Sequence, residues 1–117
     1  MNPDPLPEIT PHELAQWLAE KPALVLLDVR EPSEARYAAI HDARVAHVPL
    51  SLLARQGSAA LPDRAEPQAE VVVFCHVGER SAQVTAWLRE LGFGQVYNLR
   101  GGIDAYARLV DPTIPIY

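Results

Sequence analysis

The chain has 117 residues, 49% of them apolar, with a formal net charge of −5. That length suits one domain with a real core, and no run approaches the roughly 20 apolar residues that span a membrane. The acidic balance, with a pI of about 5.2, leaves no basic footprint for nucleic acid, so any anion site must be built locally by a loop.

Met1-Asn2-Pro3-Asp4-Pro5 carries neither a basic region nor an apolar signal core. The chain has a single cysteine, which excludes an intrachain disulfide framework, and together these features predict a cytoplasmic protein. Pro3, Pro5 and Pro7 mark residues 1–7 as an extended lead-in, and Ile9 suits a short edge strand. Thr10-Pro11-His12-Glu13 reads as a capping box with proline at the first helical position. Leu14, Trp17 and Leu18 give that helix one apolar face. Leu24-Val25-Leu26-Leu27 is an apolar run of strand length that ends at Asp28-Val29-Arg30. Ser33 is the expected cap of a short helix through Ala35, Ala38 and Ala39. Val45-Ala46-His47-Val48 is a further strand closed by Pro49, Ser51 is the expected cap of another short helix, and Gly57 to Pro67 is a polar loop.

Val71-Val72-Val73-Phe74 is a second strand buried on both faces. Ser81 is expected to cap and start a helix in which Val84, Trp87, Leu88 and Leu91 fall at i, i+3, i+4, i+7, ended by Gly92 and Gly94. Gln95 to Leu99 gives the last strand, Gly101-Gly102 turns into a helix near Ile103 to Leu109, and Asp111 to Tyr117 is an irregular tail. Strands alternating with helices, two of them apolar throughout, predict an α/β fold with a parallel sheet covered on both sides. Ligands of such sheets bind off the carboxyl ends of the strands. Cys75 sits at that end, and Asp28 and Arg30 are placed on the same rim, where their expected role is structural.

The stretch Cys75-His76-Val77-Gly78-Glu79-Arg80-Ser81 holds the sole cysteine between a buried strand and a helix. A lone cysteine after an apolar strand is commonly a small buried hydrophobe. Here loop N–H groups and the positive end of the helix macrodipole favour an anion, Gly78 lets those groups converge, and Arg80 supplies a planar donor fork. Cys75 is therefore the candidate nucleophile. Four residues stand between Cys75 and Arg80, one fewer than in cysteine phosphatases, whose loop wraps a tetrahedral phosphate. His76 either tunes the sulfur, meets an acceptor, or is an exposed loop imidazole, and Glu79 is expected to point outward. The histidines have no zinc spacing with one another or with Cys75. Arg100 reads as a solvated surface arginine, and Trp17 and Trp87 as core.

In these segments the chain resembles the single-domain rhodaneses, a family of sulfurtransferases. The matching segments are Leu26-Leu27-Asp28-Val29-Arg30-Glu31 with Glu34, His41 through Pro49-Leu50, Cys75 to Ser81, and Gly101-Gly102-Ile103-Asp104. The resemblance implies a three-layer α/β/α domain over residues 1–117, with a five-stranded parallel sheet. It implies a persulfide on Cys75 as intermediate, held by loop residues His76, Val77, Gly78, Glu79 and Arg80. It implies a small sulfur donor such as thiosulfate and an acceptor that is cyanide, a thiol or a carrier protein, with no metal or organic cofactor required and no nucleic-acid or membrane partner. Arg80 would orient the donor. His41-Asp42-Ala43-Arg44 lacks the glycine common in the family at that turn, a change expected to reshape the surface only. The alternatives are a noncatalytic interaction module of the same fold and, against the loop length, a cysteine phosphatase or arsenate reductase.

Overall fold

The computed structural model describes residues 5–117. Strands β1 (Glu8–Ile9), β2 (Val25–Asp28), β3 (Val45–His47), β4 (Val71–Phe74) and β5 (Val96–Leu99) alternate with helices α1 (Pro11–Glu20), α2 (Pro32–Tyr37), α3 (Leu50–Gln56), α4 (Glu79–Glu90) and α5 (Gly102–Leu109). Of the lead-in expected over 1–7, residues 1–4 lie outside the described residues, and 5–7 are neither helix nor strand.

The two apolar runs set the centre of the sheet. Every residue of β2 and β4 is buried, and the two strands pair in parallel from Val25 opposite Val71 to Asp28 opposite Phe74. The order across the sheet is β1-β5-β4-β2-β3, and every pairing is parallel. Side chains alternate between the faces of a strand, so each run feeds two cores. Leu24, Leu26, Val72 and Phe74 join Leu14, Ile103 and Tyr106 under α1 and α5. Val25, Leu27, Val71 and Val73 join Leu53, Val84 and Leu88 under α3 and α4. This is the five-stranded, three-layer α/β architecture expected. Burial of one such Leu or Val side chain stabilises the fold by about 1.5–3 kcal/mol.

The helix starts divide. Thr10 caps α1 as expected: its hydroxyl accepts from Glu13 N–H (3.1 Å) while Glu13 accepts from Thr10 N–H (2.9 Å). The three serines expected as caps do not cap. The N-cap of α2 is Glu31, with Pro32 at the first helical position and Glu34 accepting from Glu31 N–H at 3.1 Å, so Ser33 lies inside the helix. α3 starts at Leu50 behind Pro49, and Ser51 Oγ donates instead to Glu31 Oε1 (2.6 Å). α4 starts at Glu79, with Gly78 as its N-cap, so Ser81 is already helical. At its far end α4 stops at Glu90, which leaves Leu91 44% exposed rather than on the apolar face. The loop expected over 57–67 opens with a 3-10 turn at Gly57–Ala60.

The turn at His41-Asp42-Ala43-Arg44 has its own fastening. Asp42 grips Arg44 through two bonds of 2.8 Å, and Arg44 donates to the carbonyls of Leu18 (2.9 Å) and Lys21 (2.7 Å). Arg44 thus closes the C-terminal end of α1, where carbonyls lack intrahelical donors.

Candidate active site

β4 delivers the chain to the carboxyl edge of the sheet, between β5 and β2. Cys75 follows at once, 1% exposed. At Gly78 the backbone takes φ +105°, a conformation that side chains disfavour. The reversal brings the Gly78 N–H to 3.2 Å from Cys75 Sγ. The first turn of α4 adds the Ser81 N–H at 3.3 Å and the Ser81 hydroxyl at 3.2 Å. Unpaired N–H groups are the normal property of a helix start, and here they close on one sulfur. The N–H groups of Glu79 and Arg80 make no hydrogen bond to protein among the described residues. Three donors on one sulfur suit an atom that carries negative charge.

The expected cap, Ser81, is therefore a sulfur contact. Its hydroxyl also lies 2.6 Å from Asn98 Oδ1. One hydroxyl proton serves one acceptor at a time, so the sulfur and Asn98 share it. Asn98, buried on β5, also donates to the Gly78 carbonyl (3.1 Å). It thereby fixes both ends of the reversal. Sequence reasoning missed Asn98; the signal was a polar residue inside an otherwise apolar strand, just before Gly101-Gly102.

The double glycine is the floor of the loop. Ile103 N–H donates to the Cys75 carbonyl (2.9 Å) and Asp104 N–H to the His76 carbonyl (3.0 Å). A Cβ on Gly102, which has φ +63°, would fall on the carbonyls of His76 and Cys75. With the carbonyls bound to α5, the loop's N–H groups are left for the opposite side.

Arg80 has a partner that the sequence does not reveal. Its fork is engaged by Glu34, with Nη1 to Oε2 at 2.7 Å and Nη2 to Oε1 at 2.8 Å. The Arg80 hydrogen bonds hold the Glu34 carboxyl down at about 2, against a smaller opposing effect of burial. The same bonds raise the Arg80 guanidinium above its ordinary value. The fork thus ties the loop to α2 through Glu34.

Behind it stands a buried pair. Arg30 is 0% exposed, and its Nε and Nη2 reach Asp28 Oδ1 and Oδ2 at 2.9 and 2.8 Å. Burial opposes the Arg30 charge, but hydrogen bonds to Asp28 and Tyr117 outweigh it and raise the guanidinium above its ordinary value. Arg30 Nη1 donates to the Tyr117 hydroxyl (3.1 Å), which donates on to Glu34 Oε1 (3.2 Å). Asp28, Arg30, Tyr117, Glu34 and Arg80 form one connected chain from the sheet to the loop. The Tyr117 ring stacks on His76, with centroids 3.9 Å apart and planes 12° from parallel. His76 Nε2 donates to the Tyr117 main-chain oxygen (2.8 Å). His76 is therefore half-exposed but engaged by Tyr117.

Val77 is 49% exposed, and Glu79 is exposed, as expected. Arg100 pairs with Glu8 (3.2 Å), its side chain 64% exposed. No three His, Cys, Asp or Glu residues gather as a metal site among the described residues. No described helix is long and apolar enough to cross a membrane.

An α/β domain with its one cysteine cradled between a central strand and a helix is the class that fold and site define. A family model described as a Rhodanese-like domain matches residues 10–109. A sulfurtransferase of Allochromatium vinosum is 40% identical over 107 residues, covering 92% of this chain and 94% of that protein. A Rhodanese-like/PpiC domain-containing protein 12, chloroplastic, of Arabidopsis thaliana is 44% identical over 95 residues, 79% of this chain, and the match spans only 30% of the relative's length. The crystal structure of a rhodanese-related protein from Thermoplasma volcanium superposes with a TM-score of 0.74 at 28% identity, over 95% of this chain and 99% of that one. The chain belongs to the rhodanese-like domain family.

Proposed function

We propose that this domain transfers sulfane sulfur through a persulfide on Cys75. The observation that carries the reading is the convergence of the Gly78 N–H, the Ser81 N–H and the Ser81 hydroxyl on one buried sulfur, all within 3.3 Å. Donors converging on a sulfur at a helix start favour its charged, nucleophilic form. The match to a relative named a sulfurtransferase along nearly its whole length supports the same chemistry.

In the first half-reaction the Cys75 thiolate attacks the outer sulfur of thiosulfate or a related small donor. The new Cys75–sulfur bond forms as the old sulfur–sulfonate bond breaks, and the electron pair leaves with sulfite. The charge now rests on the outer sulfur, where loop N–H groups of residues 76–80 stabilise it as an oxyanion hole would. In the second half-reaction an acceptor lone pair forms a bond to the outer sulfur. The electron pair of the Cys75–sulfur bond returns to Cys75. Cyanide serves as acceptor in the test tube; a thiol or a carrier protein is the cellular class. Cys75 is the catalytic residue. Arg80 is a positioning residue that ties the loop to α2 through Glu34.

Sulfur that rests on the enzyme between two substrates gives ping-pong kinetics. Initial rates against donor and cyanide should give parallel double-reciprocal lines. Intersecting lines would mean a ternary complex and would overturn the persulfide route.

A further inference from the structure

Tyr117 lies beyond residues 10–109, the part that matches the family model, yet it reaches into the site. Its ring covers His76, the residue after Cys75. Its hydroxyl bridges Arg30 to Glu34, and Glu34 holds Arg80 at the other end of the loop. Cys75 itself is 1% exposed, and His76 follows it directly in the loop that Tyr117 touches. Tyr117 touches the loop at His76 and is linked to Arg80 only through Glu34.

The way the segment is held is informative. Ile114 is 3% exposed and belongs to the core beneath α1 and α5. Past that anchor, Pro115 and Ile116 are exposed. Tyr117 therefore stays in place by its own contacts: the His76 stack, the His76 bond to its main-chain oxygen, and the hydroxyl bonds to Arg30 and Glu34. Those can break without disturbing Ile114, although the hydroxyl is also a partner of the buried Arg30, so displacing Tyr117 gives up that bond as well as the stack. Tyr37, 60% exposed, meets the same ring edge-on at 5.8 Å and extends the aromatic rim outward.

We infer that Tyr117 is a specificity-determining residue: it walls one side of the Cys75 mouth, admits small donors, and holds back bulky thiol-directed molecules until it lifts. The inference rests on Cys75 being the reacting group of the proposed transfer. It adds that a small donor loads the sulfur with Tyr117 down, whereas a carrier-protein acceptor needs it displaced.

The test uses alkylation, which requires no persulfide. Cys75 is the only thiol, so alkylation of the full chain reports on it alone. Rates are measured with iodoacetamide and with a fluorescein maleimide for the wild type, Tyr117→Ala and Tyr117→Phe. Tyr117→Ala removes the stack and both hydroxyl bonds, and should raise the maleimide rate relative to the iodoacetamide rate by at least about tenfold. Tyr117→Phe keeps the ring, loses the bonds to Arg30 and Glu34, and should give a smaller rise. Equal rises with both reagents would mean general loosening of the loop and would overturn the inference, as would an unchanged ratio. Thermal melts of the same variants identify loosening independently. Alkylation ratios that behave as expected in a protein that takes up no sulfur would keep the wall and discard the transfer reaction.

Discussion

Replacing Ser81 by alanine probes the cradle most sharply, because it deletes one donor and leaves the backbone in place. The hydroxyl lies 3.2 Å from Cys75 Sγ and 2.6 Å from Asn98 Oδ1. A hydrogen bond to a charged group contributes about 1.5–3 kcal/mol. To serve the charged sulfur the single proton must leave Asn98, which gives back about 1 kcal/mol. The net is about 0.5–2 kcal/mol, and at about 1.4 kcal/mol per tenfold in rate, persulfide loading should slow by about two- to thirtyfold. Stability should fall as well, since the buried Asn98 oxygen loses its donor at a cost of about 1–3 kcal/mol. The two effects separate in two assays: single-turnover sulfur uptake at a temperature well below the melt, and urea unfolding. Ser81→Thr keeps the hydroxyl and should retain most of the loading rate. Wild-type loading in Ser81→Ala, with only stability reduced, would refute the reasoning and leave the hydroxyl a purely structural bond to Asn98.

Arg80→Ala should slow loading and unloading by the same factor, on the order of tenfold to a hundredfold for a misplaced loop, because its fork is spent on Glu34; a loss confined to loading would restore the donor-orienting role. Glu34 has its carboxyl held at about 2, below the ordinary 4.5, so its contribution to stability is fully present above pH 4.5 and is lost as pH falls through about 2. The gap in unfolding free energy between wild type and Glu34→Gln, measured in urea, should therefore be flat above pH 4.5 and shrink below it; a gap that changes between pH 5 and 8 would contradict the pairing. Gly102→Ala forces a Cβ onto the carbonyls of Cys75 and His76 at a positive φ, and should cost about 1–3 kcal/mol of stability together with most of the sulfur uptake; a variant that melts and loads like wild type would remove the double glycine from the loop's support.

Strands were legible because burial writes itself as composition. Leu24 to Leu27 and Val71 to Phe74 have no polar face, and only the middle of a two-sided sheet accepts such runs. Residues joined over short range were legible too, as with Thr10 and Glu13. The serines were misread for one physical reason. A cap hydrogen bond contributes only about 1 kcal/mol, so a tertiary partner or a proline-led start readily replaces it. Ser51 is drawn to Glu31, Ser81 to Cys75 and Asn98, and Ser33 is displaced by the Glu31-Pro32 start. The partner of Arg80 was not legible because it is 46 positions away in sequence, as Tyr117 is 87 positions from Arg30. No local pattern records such pairs. The cysteine loop itself was legible because its strand, glycine and helix are contiguous.

The persulfide on Cys75 is tested most directly by intact-protein mass spectrometry after incubation with thiosulfate and removal of excess donor. The wild type should gain the mass of one sulfur atom, lose it on addition of cyanide, and show no gain as Cys75→Ser. An unchanged wild-type mass with thiosulfate and with other sulfane donors, or a gain that persists in Cys75→Ser, would contradict the account.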